Sequence, residues 1–250
     1  MTHTSNSSRS RRPLLAAAAV VMTATTGLAV AGAQPALASS HRPCTVVKHS
    51  NTDGVAKVGT GTATLGADGL KVSTAPSKDE DKVSWRDNFW PVAANTVNEL
   101  SYETVKLDKA GAGVNDAALP AYHIFVKTPA GEGTLVYEPY WYLMKLGLPG
   151  NPQRGLRTEW DVLQGKLWTP STTINGLAKT AGGEPLKTFA EVVADNPKMT
   201  VTGIGFGLGT YNPGTTAIVD DQRFATKTSC SEHQWSTGFR TGIWWPGWLR

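Results

Sequence analysis

The sequence predicts an all-β fold of two packed antiparallel sheets with one short helix. Short apolar/polar alternations recur along the chain, and Gly-, Pro- and Asp-rich turns separate them. A single segment carries apolar residues at helical spacing.

The first 38 residues read as a cleavable signal peptide. Arg9, Arg11 and Arg12 form a positive leading region, Pro13 to Gly32 carries no charge, and Ala36-Leu37-Ala38 is a small-x-small cleavage pattern. A permanent anchor is the alternative; Thr23, Thr25 and Thr26 interrupt the apolar run and argue against it. Ser10-Arg11-Arg12-Pro13-Leu14-Leu15 also fits a twin-arginine signal, so the export route stays open. The expected localisation is secreted, extracellular, with residues 39–230 forming the sandwich and 231–250 a Trp-rich C-terminal tail.

Export changes the charge argument. The whole chain has 24 Lys+Arg against 20 Asp+Glu, but three arginines leave with the leader, and the mature domain is close to neutral. That is no footprint for nucleic acid. No later apolar run approaches membrane-spanning length. Cys44 and Cys230 survive cleavage, and in an oxidising compartment such a pair forms a disulfide. The competing reading, free or metal-binding thiols, needs His or Cys neighbours at ligand spacing, which the sequence lacks.

The elements follow in order. Thr62 to Leu65 and Leu70 to Thr74 flank Asp68-Gly69, a hairpin turn. Lys82 to Trp85 follows the charged loop Ser77 to Asp81. From Glu99 to Leu107 the facing changes parity, since Leu100 and Tyr102 share one face and Val105 and Leu107 the other; a bulge or a doubly buried strand explains this. Tyr122 to Val126 and Thr134 to Tyr137 form a second hairpin around Pro129 to Gly133. Glu159 to Leu163 and Gly165 to Trp168 are shorter candidates. Leu186, Phe189 and Val192/Val193 give the helix, which Asn196-Pro197 ends.

Thr200 to Gly209 alternates without a break. Thr202, Ile204, Phe206 and Leu208 face one way, and Gly203, Gly205, Gly207 and Gly209 the other. A bare glycine face packs nothing by itself, so something must lie close against it: neighbouring aromatic side chains, or a ligand in a shallow groove. The closing strand runs from Ala217 to Phe224.

The stretch Trp160 to Phe224 resembles a group of functionally uncharacterised actinobacterial-type secreted proteins. The shared features are Trp160-Asp161…Gly165-Lys-Leu-Trp168, a short helix ending at Asp195-Asn196-Pro197, and a Gly-alternating strand followed by a Gly-x-x-Asn-Pro-Gly-Thr-Thr turn and Val219-Asp220-Asp221. Ile218-Val-Asp220-Asp221…Phe224 is also similar to the last strand of jelly-roll, carbohydrate-binding-type modules. The resemblance implies a jelly-roll sandwich and, at Asp220 and Asp221, a possible structural calcium; ordinary turn acids are the alternative there. No other cofactor is expected.

Glu159-Trp160-Asp161…Gln164 resembles the Glu-x-Asp-x-x-Glu strand of concanavalin-like retaining β-glucanases. Retention needs two carboxyls, and Gln164 replaces the second, so Glu159 and Asp161 are weak catalytic candidates. His41, His49, His123 and His233 are scattered without ligand spacing. Aromatic clusters at Trp85, Trp90, Tyr140, Trp141 and Tyr142, with Trp160 and Trp168, are dense enough for a platform on which sugar rings stack; core filling is the competing reading. The sequence therefore points to a non-catalytic binding module for an extracellular polysaccharide or cell-wall glycan. The alternatives are a carbohydrate-active hydrolase or lyase, and a structural envelope protein. Oligomeric state is not legible.

Overall fold

The computed structural model describes residues 44–238; the expected leader and the tryptophans Trp244, Trp245 and Trp248 lie outside them. In chain order the strands are β1 (Thr45–Lys48), β2 (Ala56–Val58), β3 (Thr62–Gly66), β4 (Gly69–Ser73), β5 (Lys82–Ala93), β6 (Val97–Lys106), β7 (Ala121–Thr128) and β8 (Gly131–Tyr137). Helix α1 (Pro139–Lys145) follows, then β9 (Arg157–Asp161), β10 (Leu167–Trp168), helix α2 (Phe189–Asp195), β11 (Thr200–Gly209), β12 (Thr216–Thr226) and β13 (Cys230–Gln234).

Two sheets face each other. A seven-stranded sheet runs β1-β13-β12-β4-β3, with β6 on the other side of β12 and β9 beyond it; a six-stranded sheet runs β10-β8-β7-β11-β5-β2. Between them lie Leu70, Val72, Leu100, Tyr102 and Val219 from the first sheet, and Val83, Tyr122, Ile124, Leu135, Ile204 and Phe206 from the second, all at 0 % exposure. Each such apolar side chain contributes about 1.5–3 kcal/mol. Hydrogen bonds also cross between the sheets: Gln222 Nε2 donates to the Gly205 carbonyl (2.5 Å), and the Tyr122 hydroxyl donates to the Arg223 carbonyl (2.8 Å).

The expected sandwich is present, with differences of detail. The pairing is antiparallel except that β1 runs parallel to β13, Thr45 opposite Ser231. The cause is covalent. Cys44 and Cys230 are disulfide-bonded and each sits at the start of its segment, so the two strands leave the link in the same direction. β13 also carries the fold past residue 230, and Trp235 beyond it is fully buried, so the start of the expected tail belongs to the domain.

A second short helix, α1, occupies the Tyr140-Trp141-Tyr142 cluster. Pro139 opens it, and Gly147 (φ 70°) closes it, with Leu148 N–H on the Leu143 carbonyl (3.1 Å) and Gly147 N–H on the Met144 carbonyl (3.0 Å). Helix α2 starts later than the apolar spacing suggests. Thr188 and Glu191 form a reciprocal capping box, while Lys187 still bridges Leu167 of β10.

Two irregularities shape the surfaces. In β12 an extra residue separates the pairs Asp220–Glu103 and Arg223–Ser101, and Asp221 takes φ 45° there. At this bulge the edge partner of β12 changes from β4 to β13. The parity change in β6 reflects a strand buried on both sides: every residue from Leu100 to Lys106 is buried, Val105 on the outer side (7 % exposed), while Leu107 lies past the strand end and is exposed. In β11 the register shifts between Val201 and Gly203, which takes Thr202 out of step with Ile204 and Phe206.

Candidate ligand-binding face

The glycine face of β11 is covered by aromatic rings from β7. A Cβ at Gly207 would collide with the His123 imidazole, and one at Gly205 would stand 3.2 Å from Phe125 Cε2 as well as strike the Trp85 carbonyl. Glycine here lets the backbones of β11 and β5 and the β7 rings close up. Over Phe125, 3.8 Å from its centroid, sits the guanidinium of Arg86 from β5. Beside this stack is a shallow cavity of about 170 Å³, bordered by Arg86, Phe125, Glu132, Thr134, Ser171 and Thr202. Its walls come from β5, β7, β8, β11 and the segment after β10. Ser171 Oγ accepts the Thr134 N–H (3.0 Å), and the Thr173 hydroxyl donates to the Glu132 carbonyl (2.7 Å), so side-chain hydroxyls replace a neighbouring strand at this stretch of the β8 edge.

The aromatic candidates divide. Trp85 (6 % exposed) and Trp160 (4 %) are core residues, which removes them from any sugar-facing surface; Trp160 Nε1 donates to Thr104 Oγ1 (2.8 Å). Trp90 is the opposite case, 88 % exposed. It lies where β5 spends five residues, Asn88 to Val92, against three of β11, Val201 to Gly203, and strand alternation carries it to the face away from Trp85. Tyr140, Trp141 and Tyr142 are half-buried on α1, and Trp168 is half-buried on β10 opposite Val136.

Trp141 and Trp168 share a neighbour that the sequence reading missed, Glu138. Burial raises its pKa above the ordinary carboxylate value, and the two indole N–H groups oppose that rise. Trp168 Nε1 is buried and has no acceptor in good hydrogen-bond geometry. The only signal in sequence was the position of Glu138, directly before Pro139 at the start of a helix.

The weak catalytic candidates both lie on β9. Glu159 and Asp161 stand on the outer side of β9, opposite Glu103 and Ser101. Asp161 accepts the Leu163 N–H (3.0 Å), capping a short 3-10 turn, and the Gln164 carbonyl takes a hydrogen bond from Lys145 Nζ (3.0 Å). Asp220 is fully buried and accepts the Trp235 N–H (2.8 Å), and Asp221 occupies the bulge. Among the described residues no group of three or more His, Cys, Asp or Glu side chains is arranged to hold a metal.

The histidines are not all scattered in space. His49 Nε2 lies 3.2 Å from His233 Nδ1, and His233 Nε2 lies 3.3 Å from Asp87 Oδ2. His49 also stacks on Trp235 at 4.6 Å, and Trp85 packs against both imidazoles. Burial lowers the pKa of His49 and of His233, against the pull of Asp87 on both and of Asp220 on His49. At His123, burial lowers it to about 4. The native state therefore holds these rings neutral where the unfolded chain would protonate them. Stability is complete above pH 6.5, the ordinary imidazole value, and declines as pH falls toward 4. For His123 alone the decline reaches about 3 kcal/mol. Urea midpoints at pH 7.5 and 4.5 measure it, and His123→Gln is expected to flatten the dependence; equal midpoints in the wild type would contradict the assignment.

No protein-family model, curated protein or solved structure matches this chain.

Proposed function

We propose that the protein is an extracellular, non-catalytic binding module for polysaccharide or cell-wall glycan, and that the ligand sits on the outer face of the six-stranded sheet. The observation that carries this reading is the cavity beside Phe125. An aromatic ring, a guanidinium, a carboxylate and three hydroxyl-bearing side chains border one shallow recess. A sugar presents the complementary surface, with C–H groups for the ring and hydroxyls for the polar border. Exposed Trp90 on β5, and the half-buried rings of Trp141 and Trp168, offer further stacking surface. The Cys44–Cys230 disulfide suits an oxidising compartment, and no described helix is long and apolar enough to cross a membrane.

A hydrolase reading has less support. Glu132 is the single carboxylate bordering the cavity, whereas glycoside hydrolysis uses two. Asp161 is engaged as a cap and Gln164 supplies no proton.

The test is retention on insoluble glycans (cellulose, chitin, β-glucan, peptidoglycan and gelled polyuronate). Wild type is expected to be retained on at least one. Trp90→Ala combined with Thr134→Ala is expected to weaken that retention about tenfold, with thermal unfolding unchanged. No retention on any of them, or retention indifferent to the double substitution, would overturn the reading.

A further inference from the structure

The described residues include four arginines, and three of them have carboxylate partners. Arg154 pairs with Asp108 and Asp116, Arg157 with Glu103, and Arg223 with Glu99 and Glu232. Arg86 has no carboxylate at ion-pair distance among the described residues; its neighbour is the Phe125 ring. Stacking uses the flat face of a guanidinium and leaves its N–H edge available, and that edge is shaped for two parallel hydrogen bonds to a carboxylate.

The stack is held in place. Phe125 is seated over Gly205, where a side chain would crowd it, so the ring has a fixed floor and Arg86 a fixed platform. Around the same cavity, Ser171 Oγ already accepts the Thr134 N–H, which leaves its own O–H to donate. Glu132 brings a negative charge to the border, but it stands directly opposite Lys127 in the β7–β8 register. Arg86 is thus the charge without a cross-strand counterpart.

We infer that the glycan unit taken by this cavity bears a carboxylate: a uronic-acid residue whose carboxylate meets Arg86 and whose hydroxyls meet Thr134, Ser171 and Glu132. This rests on the glycan reading above and narrows it to acidic polysaccharide.

The experiment is calorimetric titration of the full secreted chain with oligomers of galacturonate, glucuronate and mannuronate, each against its neutral hexose counterpart, at low and high salt. At least one acidic oligomer is expected to bind about tenfold more tightly than its neutral partner, with the advantage shrinking as salt rises. Arg86→Gln is expected to bring the acidic affinity down to that of the neutral counterpart measured on the same variant; Arg86→Lys keeps the charge but not the fork or the stack, and recovers only part of the difference. Arg86 is exposed, so its thermal midpoint serves as a folding control. Equal affinity for acidic and neutral sugars, or an acidic preference that survives Arg86→Gln, overturns the inference while leaving the glycan reading intact. Displacement by acetate or citrate as effective as by uronate also overturns it, because the site would then be a general carboxylate site. Binding of neither class removes both.

Discussion

Asp108→Ala is expected to destabilise the protein by about 3–5 kcal/mol, because it strands a buried cation. Lys106 lies on the inward side of β6 with its side chain fully buried, and its Nζ is 3.1 Å from Asp108 Oδ1, itself 4 % exposed. The ammonium also donates to the carbonyls of Asn115 (3.1 Å) and Ala118 (2.8 Å), which fastens the loop between β6 and β7. Asp108 in turn accepts the Thr216 N–H (3.2 Å) and lies 3.4 Å from Arg154. Burial already lowers the Lys106 pKa and Asp108 opposes that shift, so without the carboxylate the charged form loses its main support. The companion variant Lys106→Met/Asp108→Ala removes both charges and is expected to be more stable than Asp108→Ala alone. Urea unfolding of the three proteins measures this; a loss under about 1 kcal/mol for the single substitution would show that the pair contributes little.

Opening the disulfide is expected to have an effect of similar size. Cys44 and Cys230 are 186 residues apart in sequence. Restricting so long a loop in the unfolded chain is worth up to about 5 kcal/mol in the chain-entropy account. All four residues of β1 are exposed, so that strand brings few side chains to the core. Its backbone pairing with β13 and the His49 ring on Trp235 are what remain. Cys44→Ser/Cys230→Ser is therefore expected to lower the denaturation midpoint strongly. Amide exchange should rise first in β1 and β13, with the centre of β11 and β7 protected to the end. A midpoint within about 1 kcal/mol of wild type, or loss of protection beginning in β11, would contradict this.

Most of the strands were legible because their alternation is local. Asp68-Gly69 marked the β3–β4 hairpin, and the Gly203/Gly205/Gly207 pattern marked a strand against which something packs closely. What lies there, His123 and Phe125, comes from another strand and leaves no trace at spacing two. Trp85 and Trp90 show the limit well. They are five residues apart in one strand, an odd spacing that puts one in the core and the other in solvent, yet the sequence reading grouped them in one cluster regardless of that parity. Helix α1 hid behind aromatic composition, although Pro139 and Gly147 stood at its two ends. The Thr188-x-x-Glu191 cap was present in the sequence and would have placed the start of α2 correctly. Lys106 and the His49–His233 pair were illegible for a different reason: a lysine after alternating residues reads as surface, and 184 residues separate the two histidines. The candidate site was legible only in part, with Trp90, Trp141 and Trp168 named in advance, but Arg86, Glu138 and the hydroxyls around the cavity brought together only by folding.

The Cα atoms of Cys44 and Cys230 are 4.5 Å apart, which has a mechanical consequence. A pull applied to the chain before Cys44 and after Cys230 passes from one flank to the other through the sulfur bridge. Everything enclosed between the cysteines, the face with Arg86 and Phe125 included, is shunted out of the path of tension. On the proposed reading, a glycan held at that face would stay gripped while both flanks are tugged, for as long as the bridge stays oxidised.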